Sequence, residues 1–587
     1  MPSVHQVLLL TAVPIIGIAV VWHSLLSEIF ASFRSQWNLQ PSTLPQVKLA
    51  QGLVVGVTLD HKFSAPVEGF MGLPYAEAPI GDRRFRRAVP LPVSNTTFEA
   101  RKYGKQLLSG KATDNSEDCR DPSQDTRKFL LQYTSMEEPS IEEAVGTQSR
   151  DTGAQLTDDL AMMHNTASMV GFSEKPFIGV SFNYRIGALG FLPSKATFDE
   201  GIVNLGLHDQ VFLLQWVQDN IEDFGGDKND VTIFGLSAGA HSIGHHVMNY
   251  QEGVKPLFHK AILESGAPTS RAVHPYDAAV HEEQFALFVS EAGCSDVPAG
   301  SITACLRSRS EDVITAASTK VFDKYNPSLR WAFQPVIDGN LIHQRPIDAW
   351  RFGKWNRVPI MTGHTTNEGT YYVPEPLSTS EGFTSFWHTL LPHYSEQDLA
   401  TVNVLYPDPA TEAHSPYKES RDMEALGIGP QFKRVEAAYA HYAYVCPVRQ
   451  TADLASSGQE PPVWVYHWAL NKTVKGGANH GDNMYYESFQ DEITSISGAQ
   501  REVSGVYHAY ITSFITGGDP NSIRGRFGDR PLWEKYVRGQ EGAMTFGKGN
   551  DERAGGNGRG IAAQMVGNEW IEEQCKFWWE KSSDTEE

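Results

Sequence analysis

Positive charge is in short supply. The 587 residues carry 49 Lys and Arg against 70 Asp and Glu, a formal net charge of −21 with a pI near 5.4. Phosphate recognition needs a basic face, so this balance excludes nucleic acid as a partner, and the plain meaning of the acidity is solubility. Internal repeats and long low-complexity linkers are also missing. With 41% hydrophobic residues, one large core with insertions is the expected organisation. His281-Glu282-Glu283 lacks a second histidine at the spacing of a helical zinc site and reads as a solvated helix face. The run Gly555-Gly556-Asn557-Gly558-Arg559-Gly560 lacks the preceding strand of a phosphate loop and reads as a flexible surface loop. His241, His245 and His246 read as packing or surface positions.

The first 27 residues contain no Asp, Glu, Lys or Arg, and residues 7–22 are a nearly pure apolar run of 16. This is a targeting or anchoring segment. As a signal peptide it has no basic residue beyond the amino terminus and no small-x-small site after the run. As a membrane span it must borrow His23, Ser24, Leu25 and Leu26 to reach the roughly 20 residues a bilayer needs, and Pro14 opposes a straight helix. Signal peptide and uncleaved signal-anchor both remain open, with residues 28–48 as a linker. Either route leads into the secretory pathway, to a secreted or membrane-anchored product. The sequons at Asn95 and Asn471 are compatible with a glycoprotein.

What the chain does have is an organising turn. Val231, Thr232, Ile233 and Phe234 favour a strand and run straight into Gly235-Leu236-Ser237-Ala238-Gly239, after which a helix is expected through Met248. Gly-x-Ser-x-Gly between strand and helix is the nucleophile-elbow context. So sharp a turn leaves no room for bulk at Gly235 or Gly239 and projects the Ser237 hydroxyl outward. The first free N–H groups of the helix face the same point, which makes Ala238 a donor to a developing oxyanion.

Around this turn the text becomes specific. "GLVVGVTL" and "GFMGLPYAEAPIGDRRFRRAVPLP" open it, "SEDC" follows at 116–119, and "FIGVSFNYRIGALGFL" and "NLGLHDQVFLLQWVQDNIEDFGGDKNDVTIFGLSAGA" are its densest part. The whole resembles the type-B carboxylesterase/lipase family, the cholinesterase-like branch of the α/β-hydrolases, in a fungal-type member. The resemblance spans residues 49–579, before an acidic tail at 580–587. It implies an α/β fold with a mostly parallel sheet flanked by helices and carrying large insertions. It makes the arginines at 83, 84, 86 and 87 scaffold, in what otherwise reads as a solvated basic loop, and Asp209 structural. Val211, Leu214, Trp216, Val217 and Ile221 are spaced as one helix face.

A serine hydroxyl is a weak nucleophile at neutral pH and needs a base and an orienting acid. In this fold they follow in the order serine, acid, histidine. "RVPIMTGHTTNEGTYY" offers a short strand and then Asn367-Glu368-Gly369, which resembles the family's acid motif. "PPVWVYHWALNKTVKGGANHGDN" offers another strand and then His480-Gly481, which resembles its histidine motif. Glu368 is therefore the candidate acid and His480 the candidate base, each just past a strand's C-terminal end, where open α/β sheets collect ligands. Ser265, at the end of "KAILESG", is expected to support them from behind. The implied reaction is hydrolysis of a small ester or lipid through an acyl-enzyme, with no metal or organic cofactor. The resemblance also implies disulfides joining Cys294 to Cys305 and Cys446 to Cys575, which leaves Cys119, the first cysteine in the chain, without the earlier partner the family usually provides.

One stretch departs from the pattern. Where the family has a central strand ending in His-Gly-Gly-Gly, residues 120–145 offer only Phe129-Leu130-Leu131 as an apolar run and no paired glycines. Counting back from Gly146 places Ser140 to Glu143 where the oxyanion donors belong, and the carboxylates Glu142 and Glu143 would repel an oxyanion. The expectation is a missing central strand and a poorly folded or weakly active chain. The rival reading is a non-catalytic member serving as a binding or adhesion domain.

Overall fold

The computed structural model describes residues 44–59, 63–64, 66–102, 165–418, 427–458, 460–472, 477–540, 542–552, 558–567 and 571–582, with the backbone of strands at 123–124 and 129–133. The chain divides into two units, 1–45 and 46–587. The first falls almost wholly outside the described residues, as do the apolar run, Cys119, residues 134–164 and the end of the acidic tail. No helix among the described residues is long and apolar enough to cross a membrane.

Eight strands form the central sheet: β1 (Phe129–Tyr133), β2 (Ile178–Phe182), β3 (Val231–Leu236), β4 (Lys260–Glu264), β5 (Ile360–Thr365), β6 (Val463–Trp468), β7 (Gly542–Asp551) and β8 (Gly558–Gly567). Their order is β8-β7-β6-β5-β4-β3-β1-β2, parallel throughout except for the β7–β8 hairpin at one edge. Among the described residues the remaining strands form two three-stranded sheets.

The strands are apolar on both faces, and their period of two sorts the side chains into two cores. Val231, Ile233, Ala261, Leu263, Ile360, Val463 and Val465 pack on one side with α1 (Leu205–Asn220). Phe234, Ile262, Met361, Trp464, Tyr466 and Trp468 pack on the other. There α3 (Gly498–Gly517) covers them with Tyr507, Tyr510, Ile511 and Phe514. α2 (Ala238–Met248) follows β3 directly.

Three expectations need correction. The central strand is present: β1 occupies the seat between β2 and β3, pairing Phe129–Tyr133 in parallel with Ile178–Phe182 on one side and with residues 231–235 on the other. Strand pairing is a backbone property, and five residues satisfy both neighbours without the family's text. The glycine run at 555–560 does have a preceding strand, β7, but its described part, Gly558, Arg559 and Gly560, begins β8, antiparallel to β7, and not a helix. Finally, Arg84 is buried with Nη1 donating to the Arg309 carbonyl at 2.5 Å, and His281 is buried on its helix; neither is a solvated group. His245 and His246 pack inside the molecule, His246 Nε2 lying 2.7 Å from Gln210 Oε1.

Asp209, on α1, holds Arg185 in a buried two-pronged pair, Nε to Oδ2 at 2.7 Å and Nη2 to Oδ1 at 2.6 Å, and also accepts the Arg185 backbone N–H. Arg185 Nη1 donates onward to the Arg86 carbonyl, so the pair ties α1 to the turn after β2 and to the N-terminal segment. Both disulfides form, Cys294 to Cys305 and Cys446 to Cys575. Asp209→Ala strands a buried guanidinium and is expected to cost about 3–5 kcal/mol. A urea midpoint within error of the parent would contradict that.

Candidate active site

Ser237 sits between β3 and α2 at φ 55°, ψ −121°, a positive φ that a side-chain-bearing residue adopts only when its surroundings impose it. Its N–H donates to the Glu264 carbonyl at the end of β4 at 2.9 Å, which pins the turn. Gly235 is required by contact: a Cβ there would lie 2.8 Å from the Gly239 carbonyl carbon and 3.1 Å from its Cα. Gly266 presses in from the other side, where a Cβ would lie 2.8 Å from the Ser237 carbonyl oxygen. As the first residue of α2, Ala238 has an N–H with no partner inside the helix.

The candidate acid and base are 112 residues apart in sequence and meet because β5 and β6 are neighbours in register. Their pairing runs on past the strand ends: Thr366 N–H donates to the Trp468 carbonyl at 3.0 Å, Asn367 N–H to that of Ala478 at 2.7 Å, and Asn367 bridges Asn479. This lays the two loops side by side. His480 Nδ1 then lies 2.5 Å from Glu368 Oε2, with both side chains fully buried. Glu368 Oε1 accepts from Ser265 Oγ at 2.7 Å and from the Thr365 N–H at 2.6 Å. Burial pushes the Glu368 carboxyl up, but the adjoining His480 imidazole, Ser265 and Thr365 outweigh it and hold the group below its ordinary value.

An ionised Glu368 only accepts, so Nδ1 carries the imidazole proton and Nε2 keeps its lone pair. Nε2 is buried with no hydrogen-bond partner among the described residues, so no hydrogen bond joins it to Ser237 Oγ here. Such bonds are often long before substrate binds. The His480 loop does lie against the elbow: a Cβ on Gly481 would stand 3.7 Å from Leu236 Cδ2. Tyr444 and Tyr372 flank the imidazole, with ring centroids at 4.7 and 5.5 Å.

Two buried carboxyls that motif reading passes over hold these loops. Glu436, on α4 (Phe432–Ala440), accepts from the Gly369 N–H at 3.1 Å and from Asn367 Nδ2 at 3.4 Å, and so clamps both neighbours of Glu368. Asp482 accepts from the Asn479 N–H at 2.7 Å, beside His480. Burial pushes each up to about 7. Neither lies in a recognisable motif; the signal for Glu436 is a charged residue on an otherwise apolar helix stripe. Among the described residues no group of three or more His, Cys, Asp or Glu could hold a metal ion. Of the segment expected to lack oxyanion donors, 120–145, residues 134–145 lie outside the described residues, so Ser140, Glu142 and Glu143 are not placed.

The profile of the carboxylesterase family matches residues 43–126 and 153–578, leaving unmatched much of the stretch at 120–145 that departs from the family's text. The chain is 34% identical over 516 residues to Secreted lipase 4 of Gibberella zeae, covering 84% of this chain and 87% of that protein. It is 31% identical over 504 residues to Lipase 1 of Geotrichum candidum, covering 78% and 84%. Among solved structures, the crystal structure of Aspergillus niger EstA superposes with a TM-score of 0.74 at 24% identity, covering 93% of this chain and 99% of that one, a likeness of fold.

Two outcomes follow from the packing. Gly235→Val places a branched side chain against the Gly239 backbone and is expected to abolish soluble protein or turnover; a normal yield of fully active variant would mean the turn is an ordinary one. Glu436, whose folded pKa of about 7 exceeds the unfolded carboxyl value, contributes stability in full below about pH 4.5 and loses it as the pH rises through 7. Glu436→Gln keeps an acceptor for Gly369, so its thermal midpoint should fall less than the parent's between pH 5 and 8. Superimposable profiles would show that another group carries the dependence.

Proposed function

The chain belongs to the carboxylesterase family, a serine hydrolase of carboxylesterase/lipase type, and on that footing we propose that it cleaves carboxylic esters by a Ser237–His480–Glu368 triad. The observation that carries this reading is the buried His480–Glu368 pair, which leaves Nε2 as a lone-pair acceptor beside the elbow. Ser237 Oγ attacks the ester carbonyl as His480 Nε2 takes its proton, and Glu368 balances the imidazolium. The tetrahedral oxyanion receives the Ala238 N–H. Collapse breaks the bond to the alkoxy group, which leaves as the alcohol with the proton from Nε2. Water then repeats the sequence on the acyl-Ser237 ester and releases the acid. The substrate class is a small-molecule ester or a lipid.

Secretion fits the same reading. A relative is named a secreted lipase, two disulfides close, and Asn95 is exposed at its sequon. The rival reading, a weakly active or non-catalytic member, is favoured by one observation: the profile match breaks over the residues that should supply the glycine donors. Since β1 is in place, that rival no longer draws on a missing strand; it rests on donors alone, each worth roughly 10²–10³ in turnover.

A fluorophosphonate probe should label the parent chain at Ser237, and Ser237→Ala should abolish both labelling and p-nitrophenyl ester hydrolysis. Glu368→Gln should lower kcat on the order of 10³–10⁴-fold, as loss of the orienting acid does in such triads. Labelling that persists in Ser237→Ala would remove the serine from its role. Labelling without turnover in the parent chain would favour the rival.

A further inference from the structure

Arg271 lies beyond β4 on the chain that leaves Ser265, and no salt bridge to its guanidinium is formed among the described residues. The guanidinium carbon lies 3.6 Å from the centre of the Trp331 ring. Nη2 donates to Tyr444 Oη at a long 3.3 Å, and Nε is buried with no acceptor. The groups facing it are the hydroxyls of Tyr444, Tyr439 and Tyr372; no carboxylate does so among the described residues. The side chain is half-buried, with Nε shut off from water and one neutral acceptor on Nη2, so part of its hydrogen-bonding capacity is left for an anion to fill.

Arg271 opens onto a pocket that shares this character. Its described lining contains two arginines, Arg271 and Arg330, and three histidines, but no Asp or Glu, in a chain with 21 more acidic than basic residues. Trp331, Leu329, Leu391 and Tyr439 give it apolar walls. Burial and the neighbouring His274 bring His281 down to about 4, so it adds a neutral donor or acceptor and the fixed charges are the arginines. A pocket with apolar walls and a half-buried guanidinium whose Nε has no acceptor among the described residues suits a planar anion on a short carbon chain.

One layer of tyrosines separates Arg271 and Trp331 from the triad histidine. Tyr444 contacts both Arg271 and His480, and Tyr372 contacts both Trp331 and His480, with ring centroids 5.8 and 5.5 Å away. His241, in the first turn of α2, is held well below the ordinary imidazole value first by burial and then by the nearby Arg271 guanidinium.

We propose that Arg271 is a specificity-determining residue of the esterase site, selecting esters whose acyl or alcohol part carries a carboxylate that seats against its guanidinium. This rests on the hydrolase reading above and narrows it from esters in general to anionic ones. A charge-assisted hydrogen bond of this kind is worth about 10- to 100-fold in selection.

Matched substrate pairs test it with the full chain at pH 7.5. p-Nitrophenyl hydrogen glutarate and p-nitrophenyl methyl glutarate place the charge, or its neutral equivalent, on the acyl side. 4-Acetoxybenzoate and its methyl ester place it on the alcohol side. In one of the pairs the anion should be favoured about 10- to 100-fold in kcat/KM, a ratio that salt erodes. Arg271→Gln should bring that ratio close to one whatever happens to the two rates together, and Arg271→Lys should keep part of it. Ratios at or below one in both pairs, or a ratio unmoved in Arg271→Gln, would overturn the proposal; if that variant fails to fold, the parent ratios and their salt dependence decide. If the parent cleaves neither member of either pair, the hydrolase reading has failed separately. Calorimetry with monomethyl glutarate and 4-acetoxybenzoate then decides for Arg271: binding of either that Arg271→Gln weakens supports the anion site, and no binding of both overturns it.

Discussion

The buried carboxylate of Glu368 is the constraint to which the rest of the site is fitted. Removing such a charge from water costs several kcal/mol even after relaxation, and the cost is recovered only if the lone pairs find donors of good geometry. Glu368 finds three: Ser265 Oγ from the end of β4, the Thr365 N–H from the end of β5, and His480 Nδ1 from the loop after β6. Each donor comes from a different neighbouring strand. The carboxylate is therefore stable only if the three strands keep their register, and register in a sheet buried on both faces is set by which side chains enter which core. The alternation of Val463 and Val465 with Trp464, Tyr466 and Trp468 thereby fixes where the imidazole stands, although none of those side chains touches it by way of a hydrogen bond.

Four titratable groups around that carboxylate are held towards their neutral forms. Burial pushes Glu436 and Asp482 up towards neutrality, while it pushes His364 down and His241 well below the ordinary imidazole value. These groups hydrogen-bond the loops without contributing a full charge to the field that His480 experiences. A neutral shell of this sort suits a base that must alternate between imidazole and imidazolium, since the one permanent partner of the cation is then Glu368.

The elbow and the strand-then-loop settings of Glu368 and His480 were legible in the sequence because each depends on local text: small residues where the chain doubles back, and apolar runs ending in polar loops. Glu436 and Arg271 were not. Glu436 lies 67 residues from the Gly369 amide it accepts, and Arg271 lies 173 residues from Tyr444, so their significance appears only when the fold closes those distances. β1 was misread for a different reason. Its three apolar residues followed by Gln132 and Tyr133 fall short of the family's strand, yet a seat between two strands already in place needs a length of extended backbone more than a motif. The hairpin made by β7 and β8 was missed because glycines at Gly558 and Gly560 obscured a strand that pairs through its backbone.

That difference between backbone and motif separates two properties usually taken together. The hydrogen bonds of a sheet seat are made by N–H and C=O groups common to all residues, so Phe129–Tyr133 pairs with both neighbours although its text departs from the family's. Oxyanion donors are positional: their amides must point at one spot within a few tenths of an ångström, and glycine-rich text is the usual means of bringing backbone that close. Folding and turnover in this chain therefore draw on the same stretch of sequence with very different tolerance. The parallel pairing of β1 accounts for the integrity of the sheet around Ser237; the rate at which Ser237 works depends on which N–H groups join that of Ala238.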